Sequence, residues 1–245
     1  MAAEGAEKQL AVRRRLGVAL LVFGLATVVW VGVTVTWGDP FTSMYTAYEQ
    51  RQLAHQLAKD KLEFAAPVKS GRVAVSTRRQ PDPALETARI VRSRISAFRR
   101  RVHDGSAIGR IVIPKIGLKM IVVQGTDESD LAKGPGHYDQ ASGVNTAFPG
   151  AGGVVGIAGH RTTFLHPFRY INDVKPGDNI YLEMPYGTFR YVVYDQEIVS
   201  PTDWSILRKR PFEKLVLSAC HPLYSASHRI VTFARLAGES TKIAL

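Results

Sequence analysis

KLVLSACHPLYSASHRIVTFARL, residues 214–236, is the stretch on which the fold turns. Lys214–Ala219 and Arg229–Leu236 are short runs dense in Leu, Val, Ile and Phe. The eight residues between Cys220 and Arg229 hold Pro222 and two serines. Two strands joined by a short connection have this pattern, and such a hairpin sets Arg229 beside Cys220. Cys220 stands where the apolar run stops, open to whatever the next loop carries.

The same texture extends back through the second half of the chain. Ile108–Ile113, Met120–Val123, Val154–Ala158, Asn179–Met184 and Phe189–Val199 are further candidate strands. Pro135-Gly136, Pro149-Gly150, Pro176-Gly177 and Pro185-Tyr186-Gly187 punctuate them. Helical pieces are brief, at 128–133, 166–172 and 203–209. A mostly β, closed or nearly closed barrel over residues 106–237 follows, with 238–245 as a tail. No internal repeat or glycine-rich phosphate loop is visible.

The first hundred residues read differently. Leu16–Trp37 is 22 residues without a charge, a helix of about 33 Å and enough to cross a bilayer core of about 30 Å. Arg13, Arg14 and Arg15 precede it. The positive-inside rule therefore leaves residues 1–15 in the cytoplasm and the remainder outside, as a single-pass type II plasma-membrane protein. A cleavable signal would have an apolar region of about 7–15 residues and a small-x-small site, whereas this run ends Val-Thr-Trp-Gly-Asp-Pro. Asp39-Pro40-Phe41 reads as a turn leaving the membrane.

Residues 38–105 read as an extracytoplasmic tether, part helical and part flexible. Tyr45, Tyr48, Leu53, Leu57 and Leu62 lie near helical spacing within 43–64, and 84–101 suits a second, basic helix. The net charge of +11 is concentrated here, since residues 68–101 carry ten Lys and Arg against Asp82 and Glu86. A basic run can neutralise phosphates, but its place outside the membrane argues against nucleic acid. A solvated tether, or attraction to anionic membrane lipids or wall polymers, fits better.

One cysteine in 245 residues excludes internal disulfides and multi-thiolate zinc sites. The bland reading of Cys220 is a buried structural thiol. A nucleophilic one needs a proton partner and a charge to hold an oxyanion. His160 follows the run Val-Val-Gly-Ile-Ala-Gly and fits the first need. His221 adjoins Cys220 but projects to the opposite face of its strand. Arg229 keeps its charge at any relevant pH and forks two donors toward one oxygen. His137, His166 and His228 fall in polar or turn-rich sequence, as surface or supporting groups. A zinc site built from His137, His160, His166 and His228 matches no helical ligand pair such as i, i+4. The chemistry calls for no metal and no cofactor.

IPKIGL (113–118), GTDESDLAKGPGHY (125–138), GIAGHRTTFLHPF (156–168), KPGD (175–178) and LSACHPLYSASHRIVTFARL (217–236) together resemble the sortases, most closely their class E. These are membrane-anchored cysteine transpeptidases of Gram-positive cell surfaces. The resemblance implies an eight-stranded sortase-type β-barrel with Cys220 as nucleophile, His160 as general acid/base and Arg229 as electrostatic clamp. It also implies a protein substrate bearing a C-terminal LAxTG- or LPxTG-type sorting signal. That signal is cut between Thr and Gly through a thioacyl enzyme, which an amine on a peptidoglycan precursor resolves. Tyr138 matches the tyrosine credited with reading LAxTG, and Ser218, Ala219 and Thr162 adjoin the nucleophile and His160 as candidate substrate contacts. Two departures stand out. Ala219 replaces the threonine usual before the nucleophile, and the 139–153 segment is longer than usual. Rival readings are a pilin-polymerising enzyme using a protein lysine, and a catalytically silent surface-binding module.

Overall fold

The computed structural model describes residues 2–37, 40–65, 83–138 and 146–240. Two compact units divide between Phe41 and Thr42. The first is helix α1 (Ala2–Trp37), in which Ala11–Thr34 has a mean hydropathy of 2.4 and is long and apolar enough to cross a membrane. Asp39 and residues 68–82 of the basic run lie outside the described residues. Pro40 is the first residue of helix α2 (Pro40–Ala65), a position where its missing N–H costs nothing.

The second unit is built on eight strands: β1 (Ala107–Ile113), β2 (Leu118–Gln124), β3 (Gly136–His137), β4 (Val154–Ala158), β5 (Asn179–Met184), β6 (Gly187–Val199), β7 (Lys214–His221) and β8 (His228–Ser240). They close as a barrel in the order β1-β2-β3-β4-β7-β8-β6-β5, with β5 returning to β1. The mostly β, closed eight-stranded architecture expected from the sequence is what the chain adopts. β3 had no counterpart among the candidate strands, because two residues carry no periodicity. β8 runs on to Ser240, pairing Glu239 with Phe189, so the expected tail begins as strand. Of the three expected helical pieces, 128–133 yields helix α4 (Glu128–Leu131). The other two yield only 3-10 turns at Ile171–Asp173 and Trp204–Leu207.

Alternation decides which side chains fill the barrel. Ile111, Ile113, Val155, Ile157, Leu182, Leu215 and Leu217 point inward with Phe189 and Tyr191. β7 is buried on both faces, since Val216 packs outward against Val154, Ile206, Val231 and Phe233. Burial on both faces explains why its sequence is a continuous apolar run rather than an alternating one. Glu213, just before β7, accepts from Gly150 N (3.0 Å), Gly152 N (2.7 Å) and the Tyr191 hydroxyl (2.5 Å). A buried carboxylate satisfied this way pins the turn that leads into β4.

The helices after Thr42 pack on the barrel, which differs from a tether. In helix α3 (Pro83–Arg99), Val91, Ile95 and Phe98 recur at helical spacing and enter the main core. Phe98 meets Phe64, Phe148 and Tyr186 edge-on at 5.6–5.9 Å. Removing such a buried ring costs about 3–5 kcal/mol. In α2 (Pro40–Ala65), Leu53 and Leu57 are buried against Ala107, Ile121 and Val123, while Tyr45, Tyr48 and Leu62 are exposed. The buried face of α2 is therefore rotated from the stripe read in the sequence. Two polar residues of α2 satisfy backbone groups of β2 and of the turn after α4. Gln50 accepts from Ile121 N (2.7 Å) and donates to Ile121 O (3.0 Å) and Lys133 O (2.8 Å), and Thr46 donates to Ala132 O (2.7 Å). Edge groups left bare would be open to pairing with another chain.

Candidate active site

β4 and β7 run parallel, with Ala158 opposite Ser218. The pairing continues one residue further through Gly159 N to Ser218 O (3.1 Å), and there β4 leaves the sheet. A Cβ on Gly159 would lie 2.7 Å from the Phe168 ring, so only glycine lets the chain exit here. His160 is therefore delivered beside the end of β7. Its carbonyl accepts from Phe168 N (3.0 Å), which closes the loop 161–167 on itself. Within that loop Phe164, Leu165 and His166 have φ of 52°, 57° and 38°. Three consecutive left-handed residues break the helix expected over 166–172 and store backbone strain next to His160.

On the other side of β7, the β8 register sets Cys220 directly opposite Arg229. Cys220, His160 and Arg229 line one cavity of about 180 Å³, with Thr126, Leu131, Tyr138, Ala158, Gly159, Ser218 and Ala219. The three residues singled out for chemistry thus converge from three different strand ends. Alternation along β7 places Ser218 and Cys220 on the outer face and the Ala219 methyl in the barrel core. Ala219 is 3% exposed, so the side chain at this position packs rather than reaches toward substrate.

His160 is largely buried, and its ring lies 5.1 Å from that of Phe164. Burial lowers its pKa from the ordinary value, and Glu128 partly opposes that. Among the described residues nothing bonds its buried Nε2. An imidazole at the cavity with a buried ring nitrogen left open can take or give a proton. The Arg229 Nη1 donates to Ala226 O and His228 O, both at 3.0 Å. The guanidinium is thus held by its own loop at the cavity rim. Tyr138 bonds Ser218 Oγ through its hydroxyl (2.8 Å), and its carbonyl accepts from Thr146 Oγ1 (2.7 Å). Thr162 is half-buried in the loop after His160 and is not part of the cavity lining. Residues 139–145, the first part of the long segment noted in the sequence, lie outside the described residues.

The other histidines have separate occupations. His137 is 1% exposed, between Gln124 Oε1 on one nitrogen (3.1 Å) and Ala147 O (3.1 Å) and Thr146 Oγ1 (3.0 Å) on the other. It is a core residue, which excludes the surface position among the two expectations for it. His228 is exposed and bonds Ser227 Oγ (3.1 Å). The sequence reading passed over Arg161, which is 4% exposed and donates to Cys220 O (3.2 Å) and Asn172 Oδ1 (2.9 Å). Its signal was present in Gly-His-Arg-Thr, but a charged residue next to a loop reads as solvated until its burial is known. Thr126 and Leu131 were missed for a related reason, since only the fold brings α4 to the cavity.

Known proteins carry this barrel. The sortase-domain family profile matches residues 111–237, just over half of the chain, and the chain belongs to the sortase family. Sortase D of Bacillus subtilis (strain 168) is 36% identical over 121 residues, covering 49% of this chain and 57% of that protein. Sortase SrtE1 of Streptomyces coelicolor is 31% identical over 152 residues, covering 56% of this chain and 42% of that protein. In both, the match spans less than two thirds of the relative. The crystal structure of sortase E1 from Streptomyces coelicolor with a tripeptide in the active site superposes with a TM-score of 0.53 at 31% identity, covering 55% of this chain and 90% of that one.

Proposed function

We propose that this chain is a membrane-anchored cysteine transpeptidase of the class E type. It cuts a C-terminal sorting signal of LAxTG or LPxTG form between Thr and Gly and joins the protein to an amine of a peptidoglycan precursor. The observation that carries the reading is the convergence of Cys220, His160 and Arg229 on one small cavity. The Cys220 thiolate attacks the threonine carbonyl carbon, forming the C–S bond, and Arg229 supports the oxyanion. Collapse breaks the C–N bond as protonated His160 gives its proton to the departing glycine nitrogen. An acceptor amine then attacks the thioacyl carbon and His160 takes its proton. The C–S bond breaks, and thiolate and imidazolium are restored. Neither half-reaction calls on a metal or another cofactor.

Tyr138 and Ser218 offer hydroxyls at the cavity wall for the backbone of the signal. The apolar run of α1 and the three arginines just before it support anchoring with the barrel outside the cell. Arg89, Arg92 and Arg99 are exposed on α3, and Arg100 just beyond it, while the apolar face of the helix is in the core, which favours contact with anionic lipid headgroups.

The test is mass spectrometry of the detergent-solubilised full chain incubated with LAxTG and LPxTG peptides and a small amine. The expected product is the peptide cut after Thr with the amine attached, absent in Cys220→Ala. Arg229→Lys keeps the charge but loses the fork and is expected to slow the reaction about 10–100-fold. Product formation by Cys220→Ala at the rate of the unaltered chain would overturn the reading.

A further inference from the structure

The hydrogen-bond ladder between β4 and β7 ends at Gly159 N to Ser218 O. Both reacting groups lie beyond it, His160 one residue on and Cys220 two. Past that point the β4 chain turns away, with the His160 carbonyl committed to Phe168 N. Arg161 bridges the gap. Its Nη1 donates to Cys220 O (3.2 Å) and to His221 Nδ1 (3.3 Å), and its Nη2 to Arg169 O (3.3 Å) and Asn172 Oδ1 (2.9 Å). One peptide unit, one side chain and one hydrogen bond therefore connect the backbone of His160 to that of Cys220.

We infer that Arg161 is a positioning residue for the transpeptidation: it takes over from the strand ladder at the mouth of β4 and β7 and holds His160 in register with Cys220. The inference rests on the roles proposed above for those two residues. Four directed bonds from one nearly buried guanidinium fit this role better than a surface charge, because a planar, always charged fork loses little freedom per bond. Burial lowers the Arg161 pKa, and Cys220 is the strongest influence in the other direction, in keeping with their closeness. The anchor on the far side is itself oriented. Asn172 Nδ2 donates to Asp173 Oδ1 (2.8 Å), which leaves Oδ1 facing Arg161. A guanidinium can only donate, so His221 Nδ1 must accept and its proton sits on Nε2. His221, sequence neighbour of the nucleophile, is thereby fixed in one neutral tautomer and serves the bracket instead of the reaction.

Arg161→Gln, Arg161→Lys and Asn172→Ala test this on the full-length chain, with Cys220→Ala in the same assay. Misplacement of reacting groups by about 1 Å costs about 100-fold in rate, so Arg161→Gln is expected to lower kcat about 10–100-fold with KM held within about twofold. Arg161→Lys keeps charge without the two-armed reach and stays within about threefold of the glutamine variant. Asn172→Ala touches neither reacting group and lowers kcat about three- to tenfold at unchanged KM. The imidazole nitrogen NMR signals of His221 report the Nε2–H tautomer in the unaltered chain and lose it in Arg161→Gln. A folded Arg161→Gln with kcat within about threefold of the unaltered chain and the same His221 signals overturns the inference. Should Arg161→Gln not fold, Asn172→Ala decides, and an unchanged kcat there overturns it. Activity surviving in Cys220→Ala instead overturns the proposed roles of the reacting groups, so the two failures are told apart.

Discussion

Two histidines flank β4, one on the neighbouring strand and one at its exit, and the barrel treats them in opposite ways. His137 on β3 sits opposite Ile157, fully buried, with both ring nitrogens engaged and its ring stacked 5.0 Å from Phe148. His160 leaves the end of the same strand with a buried Nε2 that nothing among the described residues satisfies. A satisfied polar group in the wall adds rigidity, whereas an unsatisfied one carries a desolvation cost that the fold tolerates where chemistry uses it. In the mechanism proposed above, the imidazole that reacts is the one whose hydrogen bond is left open.

The comparison is broken most severely at His160. His160→Ala is expected to lower turnover about 1,000-fold or more while the melting temperature stays close to that of the unaltered chain. Steady-state transpeptidation and a thermal melt on one preparation check both halves. A turnover within tenfold of the unaltered chain would remove His160 from the mechanism. His137→Ala should invert the pattern. It takes away the ring partners of Gln124 Oε1 and the Ala147 carbonyl and empties a packed site, so about 2–4 kcal/mol of stability is lost in denaturant unfolding. The folded fraction should keep kcat within about threefold.

Acidification sharpens the contrast through the histidines that burial disfavours as cations. His160, His166 and His221 all have pKa values lowered from the ordinary 6.5, in each case chiefly by burial. In the unfolded chain they bind protons at higher pH than in the native one, so stability rises with pH across that interval. It is fully present above about 6.5 and lost as pH falls toward the lowered native values. Unfolding midpoints measured from pH 7.5 down to 5 should fall, and less so in His160→Gln. An equal fall in the two proteins would place the effect elsewhere. The smallest change is expected at the cavity wall. Tyr138→Phe removes the hydroxyl bonded to Ser218 but keeps the ring, and should alter the ratio of LAxTG to LPxTG turnover about two- to fivefold. An unchanged ratio would release Tyr138 from signal reading.

Much of the catalytic arrangement was legible because it is local. A hairpin of the length between Cys220 and Arg229 leaves few ways to pair its strands, and the observed register sets the two opposite each other. Placing His160 near Cys220 required the parallel pairing of β4 with β7 across some sixty residues, which the residue pattern alone does not state. The buried face of α2 was misjudged for an energetic reason. Hydrophobic spacing pointed to Tyr45, Tyr48, Leu53, Leu57 and Leu62, of which only Leu53 and Leu57 are buried; the edge of β2 selected Gln50 and the Ala132 carbonyl selected Thr46, because unpaired backbone groups there cost more than exposed tyrosines.

By itself the sequence determined the apolar N-terminal helix, the succession of short strands, and the cysteine, histidine and arginine that the barrel gathers. Each is written in composition or in periods of a few residues. Tertiary structure alone decided that Thr42–Ala65 and α3 join the barrel, that the Ala219 methyl belongs to the core, and that Arg161 is buried between the two strand ends. Those outcomes depend on which backbone groups remain unpaired once the barrel closes, a property of the assembled sheet and not of any segment within it.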